Sequence, residues 1–417
     1  MCAAPRQAQT IAQARHARRV PSPSAAKLSV WAVKVPVVAA SPVRSQHSQH
    51  GQHGGSHQHD PGSSAVHPGA DPGAVGRWLA DQLGDSRWRE STLRPIGEGR
   101  SNLTYRVDSP AGAVVLRRPP VGEVATTAHD MGREQRVISA LAGTAVPVPQ
   151  VLATSEGGPP VDAACFVMEL VEGVVPLGDL PAGWADTKSE RARVGYGLVD
   201  VLVALHAVDP AAVGLGDFGR PEGFMTRQVR RWGKQWEAAR GEGAATADIE
   251  RELTRLAELL GTAVPAAQRH TIVHGDYRID NCLFDAADPG RIKAVLDWEM
   301  STLGDPMADL GLLLVYWHHA DEEPIWRAAQ HLPSPTKLAG FPRRADIAAT
   351  YAAASGLDLT PLPWYVAFGT FKLAVVLAGI LARVRAGSVP ASMAHGLEDS
   401  VDPLVALGHH VLESGLH

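Results

Sequence analysis

The sequence HGDYRIDNCLFD at His274–Asp285, followed by AVLDWE at Ala294–Glu299, is the most informative part of the chain. It has the pattern H-G-D-x-x-x-x-N and then an apolar run that ends in an aspartate. Asp276, Asn281 and Asp297 therefore offer carboxylate and amide oxygens, which are the ligands that Mg²⁺ prefers. A lone HGD is more often a turn, and an aspartate at the end of a strand is often a cap. The whole pattern is harder to obtain by chance and predicts a functional site.

The residues around this pattern predict a β-hairpin. Leu283–Phe284 and Ile292–Leu296 are apolar runs that are typical of strands, and DPG at 288–290 is typical of a turn. A hairpin folds so that its open ends meet. Asn281 precedes the first strand and Asp297 closes the second, so we expect both side chains at the same edge, within reach of one ion.

Phosphoryl transfer from ATP requires few chemical groups, and these residues can supply them. A carboxylate must orient the attacking hydroxyl and take its proton, and oxygen ligands must hold Mg²⁺ against the phosphates. Asp276 suits the first task, whereas Asn281 and Asp297 suit the second. The spacing therefore favours a phosphotransferase that uses ATP and Mg²⁺.

Together with GDPMADLG at 304–311, these stretches resemble the aminoglycoside phosphotransferase and choline kinase superfamily. They are especially similar to the kinase-like domains that accompany acyl-CoA dehydrogenases in some proteins. The resemblance runs from about Leu93 to the end of the chain. It implies an α+β, bilobal protein-kinase-like fold, with a small β-rich N-lobe and a large, mainly helical C-lobe. It also implies that Asp276 is the catalytic base, that Asn281 and Asp297 bind Mg²⁺, and that a small-molecule hydroxyl accepts the γ-phosphate of ATP.

The same resemblance implies a loop that covers the phosphates. IGEGRSNLTY at 96–105 lies between two predicted strands, as such a loop would. Glycines let backbone amides approach phosphate, and short polar side chains add contacts. The residues expected to bind the nucleotide here are Gly97, Gly99, Ser101 and Asn102. The third glycine of the protein-kinase loop is absent.

Arg117 stands where the resemblance implies a phosphate-binding lysine. It ends the run VVLR at 114–117, and Glu134 on the next predicted helix is its expected partner. Arg118 is a rival, although successive residues of a strand face opposite ways. Arginine binds phosphate through its planar fork but is not interchangeable with lysine.

The run CFVMELVEG at 165–173 resembles the hinge between the lobes of a kinase. Met168 and Leu170 are the expected backbone contacts of adenine. Asp309 and His274 are expected to brace the catalytic loop, because the carboxylate of Asp276 is better placed to take a proton than the histidine ring.

The chain divides by composition into three regions. Residues 1–72 form a tail without an acidic residue before Asp60 and rich in His, Gly, Gln and Ser beyond its middle. Such a segment cannot offset its ordering entropy and is predicted to be disordered. It also resembles an organellar transit peptide, and an over-extended start is a further alternative. Residues 73–172 are the predicted N-lobe, and 173–417 are the predicted C-lobe.

Periodicity predicts the order of elements within the two lobes. The predicted strands of the N-lobe lie at 93–99, 103–109, 113–119, 146–154 and 165–173. The predicted helices with the clearest pattern lie at 74–83, 129–143 and 189–208.

Composition excludes several classes of partner and compartment. The formal net charge of −5 offers no basic surface for nucleic acid. The three cysteines, Cys2, Cys165 and Cys282, are widely spaced, which argues against a disulfide framework and fits a cytoplasmic protein. The apolar run at 364–384 contains Lys372, a charge that is costly in lipid, and is predicted to be a buried helix rather than a membrane span. The sequence leaves the oligomeric state open.

Two alternatives to a small-molecule kinase remain. The arginine at the lysine position favours a catalytically weak, kinase-like nucleotide-binding module. A protein kinase is disfavoured because HRD, DFG and APE are absent. The acceptor is expected to be a metabolic hydroxy compound, including a hydroxyacyl compound, or an antibiotic.

Overall fold

The computed structural model of the protein describes residues 68–96, 102–121, 130–241, 245–391, 394, 396–397 and 399–416. Most of the predicted tail, 1–67, and five residues of the predicted phosphate loop, 97–101, lie outside the described residues; the latter include Gly97, Gly99 and Ser101. The described chain begins beside the first sheet, where the Tyr105 hydroxyl donates a hydrogen bond of 2.6 Å to the carbonyl of Pro68.

A five-stranded antiparallel sheet forms the N-lobe, with the first three strands in chain order and the fifth strand between the third and the fourth. Alternation along the second strand turns Tyr105 and Val107 into the core, where they are 1% and 0% exposed. The strands are β1 (Thr92–Pro95), β2 (Leu103–Ser109), β3 (Gly112–Arg118), β4 (Val151–Ser155) and β5 (Cys165–Glu169).

The sequence predicted these strands with some errors at their ends. The strand predicted at 103–109 has those bounds in the structure. The strand predicted at 146–154 begins only at Val151. Pro147 and Pro149 lack the backbone N–H that a ladder needs, so the chain before Val151 does not enter the sheet.

Two helices flank this sheet, α1 (Pro72–Leu83) and α2 (Met131–Leu141). The Asp130 side chain caps α2 by accepting a hydrogen bond of 2.9 Å from the Arg133 backbone N–H. Helix α2 lies against β4, β5 and the 3₁₀ turn Trp298–Met300 of the C-lobe. It therefore connects the sheet mechanically to the segment that follows Asp297.

Eight described helices and two small sheets build the C-lobe. The helices are α3 (Lys188–Ala207), α4 (Phe224–Ala239), α5 (Ala247–Thr262), α6 (Met307–Val315), α7 (Pro324–Ala328), α8 (Arg344–Ser355), α9 (Leu362–Arg385) and α10 (Val401–Ser414). The antiparallel strand pairs are β6 (Thr271–Val273) with β9 (Thr302–Gly304), and β7 (Cys282–Phe284) with β8 (Ile292–Val295).

Helix α9 is the centre of the C-lobe core. It packs against α4, α5, α6 and α10. It is the one helix in the described part of the chain that is long and apolar enough to cross a membrane, and its most apolar 18 residues are all buried within the protein. The prediction of a buried core helix is confirmed. Lys372 lies in its middle and is only 6% exposed.

Candidate active site

The loop that carries Asp276 turns sharply at Gly275. This glycine has a φ of +82°, and a Cβ there would lie 2.7 Å from the carbonyl oxygen of Met300. The left-handed conformation and the lack of space together require glycine. Asp309, in the first turn of α6, fixes the same turn, because its carboxylate accepts hydrogen bonds from the backbone N–H of His274 at 2.7 Å and of Gly275 at 2.8 Å.

Asp309 is itself held by a buried network. Nε2 of His206 lies 3.2 Å from its carboxylate, and Nδ1 of His206 lies 2.7 Å from the Tyr351 hydroxyl. Burial opposes the charge of Asp309, but the hydrogen bond and charge of His206 and the backbone amides lower its pKa. His274 braces the loop from the other side, with Nε2 3.0 Å from the carbonyl oxygen of Leu296. These contacts confirm the bracing predicted for Asp309 and His274.

Asp276 and Asn281 are joined directly at the centre of the site. The Asn281 Nδ2 donates hydrogen bonds to the Asp276 backbone oxygen at 2.7 Å and to its carboxylate Oδ2 at 3.0 Å. Both residues are buried, at 7% and 0% exposure. The carboxylate is thus held in one orientation, which is the requirement for a group that must meet an incoming hydroxyl.

The hairpin brings Asp297 to Asn281, as the sequence predicted. Strand β7 pairs with β8, with Cys282 opposite Val295. The ladder is extended by a hydrogen bond of 2.8 Å from the Leu296 N–H to the Asn281 carbonyl. Asp297 follows with a φ of +70°, a left-handed conformation that non-glycine residues adopt rarely and that recurs at active sites.

Arg117 connects the sheet of the N-lobe to this cluster. Its Nη2 lies 3.1 Å from Oε1 of Glu134 and 3.6 Å from Oδ1 of Asp297. Burial opposes the charge of Arg117, but the charges of Glu134, Asp297 and Glu299 outweigh burial and raise its pKa. The predicted partnership with Glu134 is present, and the arginine reaches one of the two predicted magnesium ligands.

Asn102, the one described residue among the four expected to bind the nucleotide in the phosphate loop, points into the same cluster. It is 5% exposed, and its Nδ2 lies 3.4 Å from Oε2 of Glu134 and 3.3 Å from Oε2 of Glu299. The loop therefore ends on a side chain that joins α2 to the turn after Asp297. Gly97, Gly99 and Ser101 lie outside the described residues.

The two predicted hinge residues occupy different positions. Met168 lies inside β5 and pairs with Val115 on β3 and with Val151 on β4. Leu170 is the first residue after β5, where the strand pairing has ended.

Arg278 is a site residue that sequence reasoning missed. It is 4% exposed, with Nη2 2.7 Å from Asp280 and Nε 3.9 Å from Oδ1 of Asp276, and its guanidinium lies 4.7 Å from the ring centre of Tyr316. Burial opposes its charge, but Asp280, Asp276 and Asp297 outweigh burial and raise its pKa. The signal in the sequence was a cation two residues after Asp276, within the stretch that carries the pattern.

Lys372 is a second missed residue. Its Nζ donates a hydrogen bond of 2.9 Å to the Gly275 carbonyl, and it lies 5.5 Å from the ring centre of Trp232. Burial lowers its pKa to about 8, although the charges of Asp276 and Asp309 act in the opposite direction. The sequence signal was a single charge in an apolar helix, which is costly unless it serves a site.

Gly275→Ala is expected to lower turnover by at least about tenfold, because the close approach to Met300 must be relieved by moving the loop before Asp276. Gly356→Ala is the matched control, since Gly356 has a φ of +72° but a Cβ there would meet no described atom within 4 Å. Both substitutions place a Cβ in the left-handed conformation, which should lower the free energy of unfolding of each variant by about 1 kcal/mol or more. Equal turnover in the two variants would contradict this account of the loop.

Lys372→Met is expected to lower turnover, because it removes the support of the Gly275 carbonyl and keeps an unbranched side chain in α9. In the wild type, the charge of Lys372 is lost as pH rises through about 8. Turnover should therefore fall above that pH in the wild type only. Stability should not fall with it, since between the folded pKa of about 8 and the ordinary 10.5 the unfolded chain binds more protons. A parallel pH profile in the variant would contradict this role.

Comparison with models of known protein families identifies the family of this chain. Residues 92–345 match the phosphotransferase enzyme family. The match covers more than half of the chain, so the chain belongs to this family of phosphotransferases.

The chain is also similar to individual proteins. Acyl-CoA dehydrogenase family member 10 of Mus musculus is 32% identical over 322 residues, which are 77% of this chain and 29% of the relative. The chain spans less than half the length of such curated relatives. A structure from Ralstonia eutropha, provisionally named an aminoglycoside phosphotransferase, has a TM-score of 0.68 at 31% identity and covers 82% of this chain and 98% of its own.

The fold extends to more distant enzymes. Aminoglycoside phosphotransferase APH(4)-Ia, in a ternary complex with ADP and hygromycin B, has a TM-score of 0.51 at 17% identity, with 80% of this chain and 99% of that chain covered. At this identity the likeness shows the fold alone. The predicted α+β, protein-kinase-like fold and the predicted superfamily are confirmed.

Proposed function

We propose that the protein is a small-molecule phosphotransferase that uses ATP and Mg²⁺ and moves the γ-phosphate to a hydroxyl of its acceptor. One observation carries the proposal: a single cluster in which Asn281 holds Asp276, and in which the buried Arg117 reaches both Glu134 and Asp297. These are the groups that phosphoryl transfer requires, and they come from separate parts of the chain.

The donor set fits a magnesium ion that is shared with phosphates. Asp297 offers carboxylate oxygens, and Asn281 offers its amide oxygen because its nitrogen is engaged by Asp276. Within the described residues, no cluster of three or more His, Cys, Asp or Glu could hold a metal by itself. Mg²⁺ typically takes one or two protein oxygens and fills its other positions with water and phosphate oxygens. When bound, it would neutralise phosphate charge.

Each residue of the cluster has a separate task in this proposal. Asp276 orients the acceptor hydroxyl and takes its proton at a carboxylate oxygen. Asn281 fixes that carboxylate, and Arg278 lies beside it as a buried positive charge. Arg117, anchored by Glu134, offers donors to phosphate, and its Nε has no hydrogen-bond partner among the described residues. Such a buried donor is costly unless a ligand satisfies it.

The hinge supplies the proposed contacts with the adenine of ATP. Leu170 leaves β5 at the junction of the two lobes, and its backbone is proposed to contact adenine. Met168, with its backbone inside the sheet, would line the site with its side chain, which is 7% exposed.

Arg117→Met is expected to raise the KM for ATP by about tenfold or more, since a buried hydrogen bond to a charged group contributes roughly 1.5–3 kcal/mol. Arg117→Lys keeps a cation and should lose less. Arg118→Met is the control, because Arg118 is also buried but donates its hydrogen bonds to the backbone of Pro119 and Gly69. Steady-state kinetics with ATP as the varied substrate gives the KM for ATP of each variant. A larger KM effect at Arg118 would mean that the wrong arginine was chosen.

The relatives support two kinds of acceptor as proposals. The likeness to acyl-CoA dehydrogenase family members favours a metabolic hydroxy compound, including a hydroxyacyl compound. The fold of an enzyme solved with hygromycin B admits an antibiotic. Fold does not determine the acceptor, because its pocket is built from the variable helical lobe.

The proposal is tested by Mg²⁺-dependent release of ADP in the presence of a panel of acceptors: aminoglycosides, macrolides, choline, homoserine and hydroxyacyl-CoA compounds. A signal that one class stimulates supports the phosphotransferase and names its acceptor. A panel without signal, together with measurable binding of ATP, would favour the alternative of a catalytically weak nucleotide-binding module. Absence of ATP binding would contradict both.

A further inference from the structure

A cavity of about 430 Å³ lies in the C-lobe beside the catalytic loop. Helix α4 forms one wall, helix α9 forms another, and the segment after Asp297 closes a third. The cavity reaches the backbone of Gly275, the residue before Asp276, and Lys372 lies against it. The cavity therefore comes within one residue of the proposed base along the catalytic loop.

Four arginines line this cavity: Arg133, Arg220, Arg227 and Arg231. Two of them belong to one face of α4, since Phe224, Arg227, Gln228 and Arg231 are spaced three and four residues apart. Arg133 comes from the first turn of α2, and Arg220 precedes α4. The cluster therefore depends on packing between elements that are far apart in the sequence.

None of the four guanidinium groups has a carboxylate within ion-pair distance among the described residues. Arg133 donates to the carbonyl of Phe218 at 2.5 Å and of Ser301 at 3.3 Å and stacks on the Phe218 ring at 3.9 Å. Arg227 donates to the backbone carbonyls of Glu222 and Arg220. These neutral acceptors orient the arginines without cancelling their charge.

The acids of the cavity are already engaged elsewhere. Asp130 caps α2, Glu299 accepts from Asn102, and Asp309 accepts from the backbone of the catalytic loop. Neutral donors leave these three carboxylates charged, but the four arginines and the lysine of α9 outnumber them, so the walls of the cavity carry a net positive charge. Arg231 remains accessible to solvent, yet the surrounding protein lowers its pKa by desolvation, an effect that a bound anion would offset.

We propose that this cavity binds the acceptor of the reaction and that the acceptor is an anion, whose carboxylate or phosphate group is held by the arginines while its hydroxyl meets Asp276. The proposal rests on the proposed phosphotransferase function. It separates this chain from enzymes whose acceptors are polycations, because four arginines would repel such a molecule. Planar guanidinium groups suit both carboxylate and phosphate, through paired hydrogen bonds.

Binding can be measured without turnover, by titrating the Asp276→Asn variant saturated with a non-hydrolysable ATP analogue and Mg²⁺. The probes are two matched pairs, glycerol 3-phosphate with glycerol, and 3-hydroxybutyrate with its methyl ester, and choline serves as a cation. We expect at least one anion to bind about tenfold or more tightly than its neutral partner and to weaken with salt, while choline does not bind. The pair with the larger difference distinguishes phosphate from carboxylate.

Arg231→Gln is expected to weaken binding of the anion by about tenfold, whereas Arg230→Gln should have no effect. Arg230 is the matched control, since it is the preceding exposed residue of α4 and does not line the cavity. Equal effects of the two substitutions, tighter binding of choline, or failure of both anions to exceed their neutral partners would overturn the anionic acceptor. Intact anion binding with no turnover on any acceptor would instead remove the phosphotransferase and leave an anion-binding site.

Discussion

Asp276→Asn is expected to lower phosphoryl transfer by roughly 10²–10⁴-fold, the usual contribution of a general base. The substitution keeps the shape of the side chain, and an amide oxygen can still accept the hydrogen bond that Asn281 donates to Oδ2. What is lost is the ability to take the proton of the hydroxyl. The measurement is the initial rate of acceptor-dependent ADP release, with the Kd for ATP determined in parallel.

Asp285→Asn is the control for this result. Asp285 follows β7 in the same hairpin, and its carboxylate caps the turn by accepting from the Ala287 N–H at 2.9 Å, away from the cluster. It should keep nearly full turnover, and both variants should bind ATP as the wild type does. Full activity of Asp276→Asn would remove Asp276 from the role of base.

Asp309→Ala is expected to lower the free energy of unfolding by about 3–5 kcal/mol, the usual cost of breaking a buried charged pair. It leaves the N–H groups of His274 and Gly275 and the ring of His206 without their acceptor in a site that is 0% exposed. Asp309→Asn, which keeps one acceptor oxygen, should fall between this variant and the wild type. Urea unfolding measures the change.

Asp200→Ala is the matched control. Asp200 is exposed in the middle of α3, and its substitution should change the free energy of unfolding by no more than about 0.5 kcal/mol. The pH dependence gives a second check. Because the pKa of Asp309 is lowered in the folded state, its contribution is fully present above the ordinary aspartate pKa and is lost as pH falls through the folded value. The free energy of unfolding of Asp309→Ala should not show this fall below the ordinary aspartate pKa. If the free energy of unfolding of Asp309→Ala fell in acid as that of the wild type does, the proposed support of the catalytic loop by Asp309 would be contradicted.

The central hairpin could be predicted because its information is local. Asn281 and Asp297 are joined by two short strands and a DPG turn, and the register of such a hairpin follows from the turn. The pairing of Arg117 with Glu134 was predicted only through the resemblance, because the two residues lie on different elements and nothing local in the sequence joins them.

The missed residues depend on packing over long distances. Lys372 meets Gly275 only because α9 passes beneath the catalytic loop, 97 residues away in sequence. The contacts of Asn102 with Glu134 and Glu299 were equally hidden, because those two residues lie on distant elements. A helix pattern indicates which face is buried but not which element covers it.

The cavity lined by Arg133, Arg220, Arg227 and Arg231 could not be predicted from the sequence for the same reason. The overall charge of −5 gives no hint of a basic site, because a local excess of arginine is averaged away. The spacing of Arg227 and Arg231 on α4 was visible in the sequence, but such a pair is usually a solvated helix face. Only the fold places them beside Arg133 and the catalytic loop.

The central claim is transfer of a phosphoryl group to a hydroxyl at the cluster around Asp276. The most direct measurement is mass spectrometry of the acceptor after incubation with the wild-type protein and ATP, with and without Mg²⁺, beside the Asp276→Asn variant. The account predicts an acceptor that gains one phosphoryl group only with the wild type and only with Mg²⁺. An unmodified acceptor from every class tested, or the same product from the Asp276→Asn variant, would contradict it.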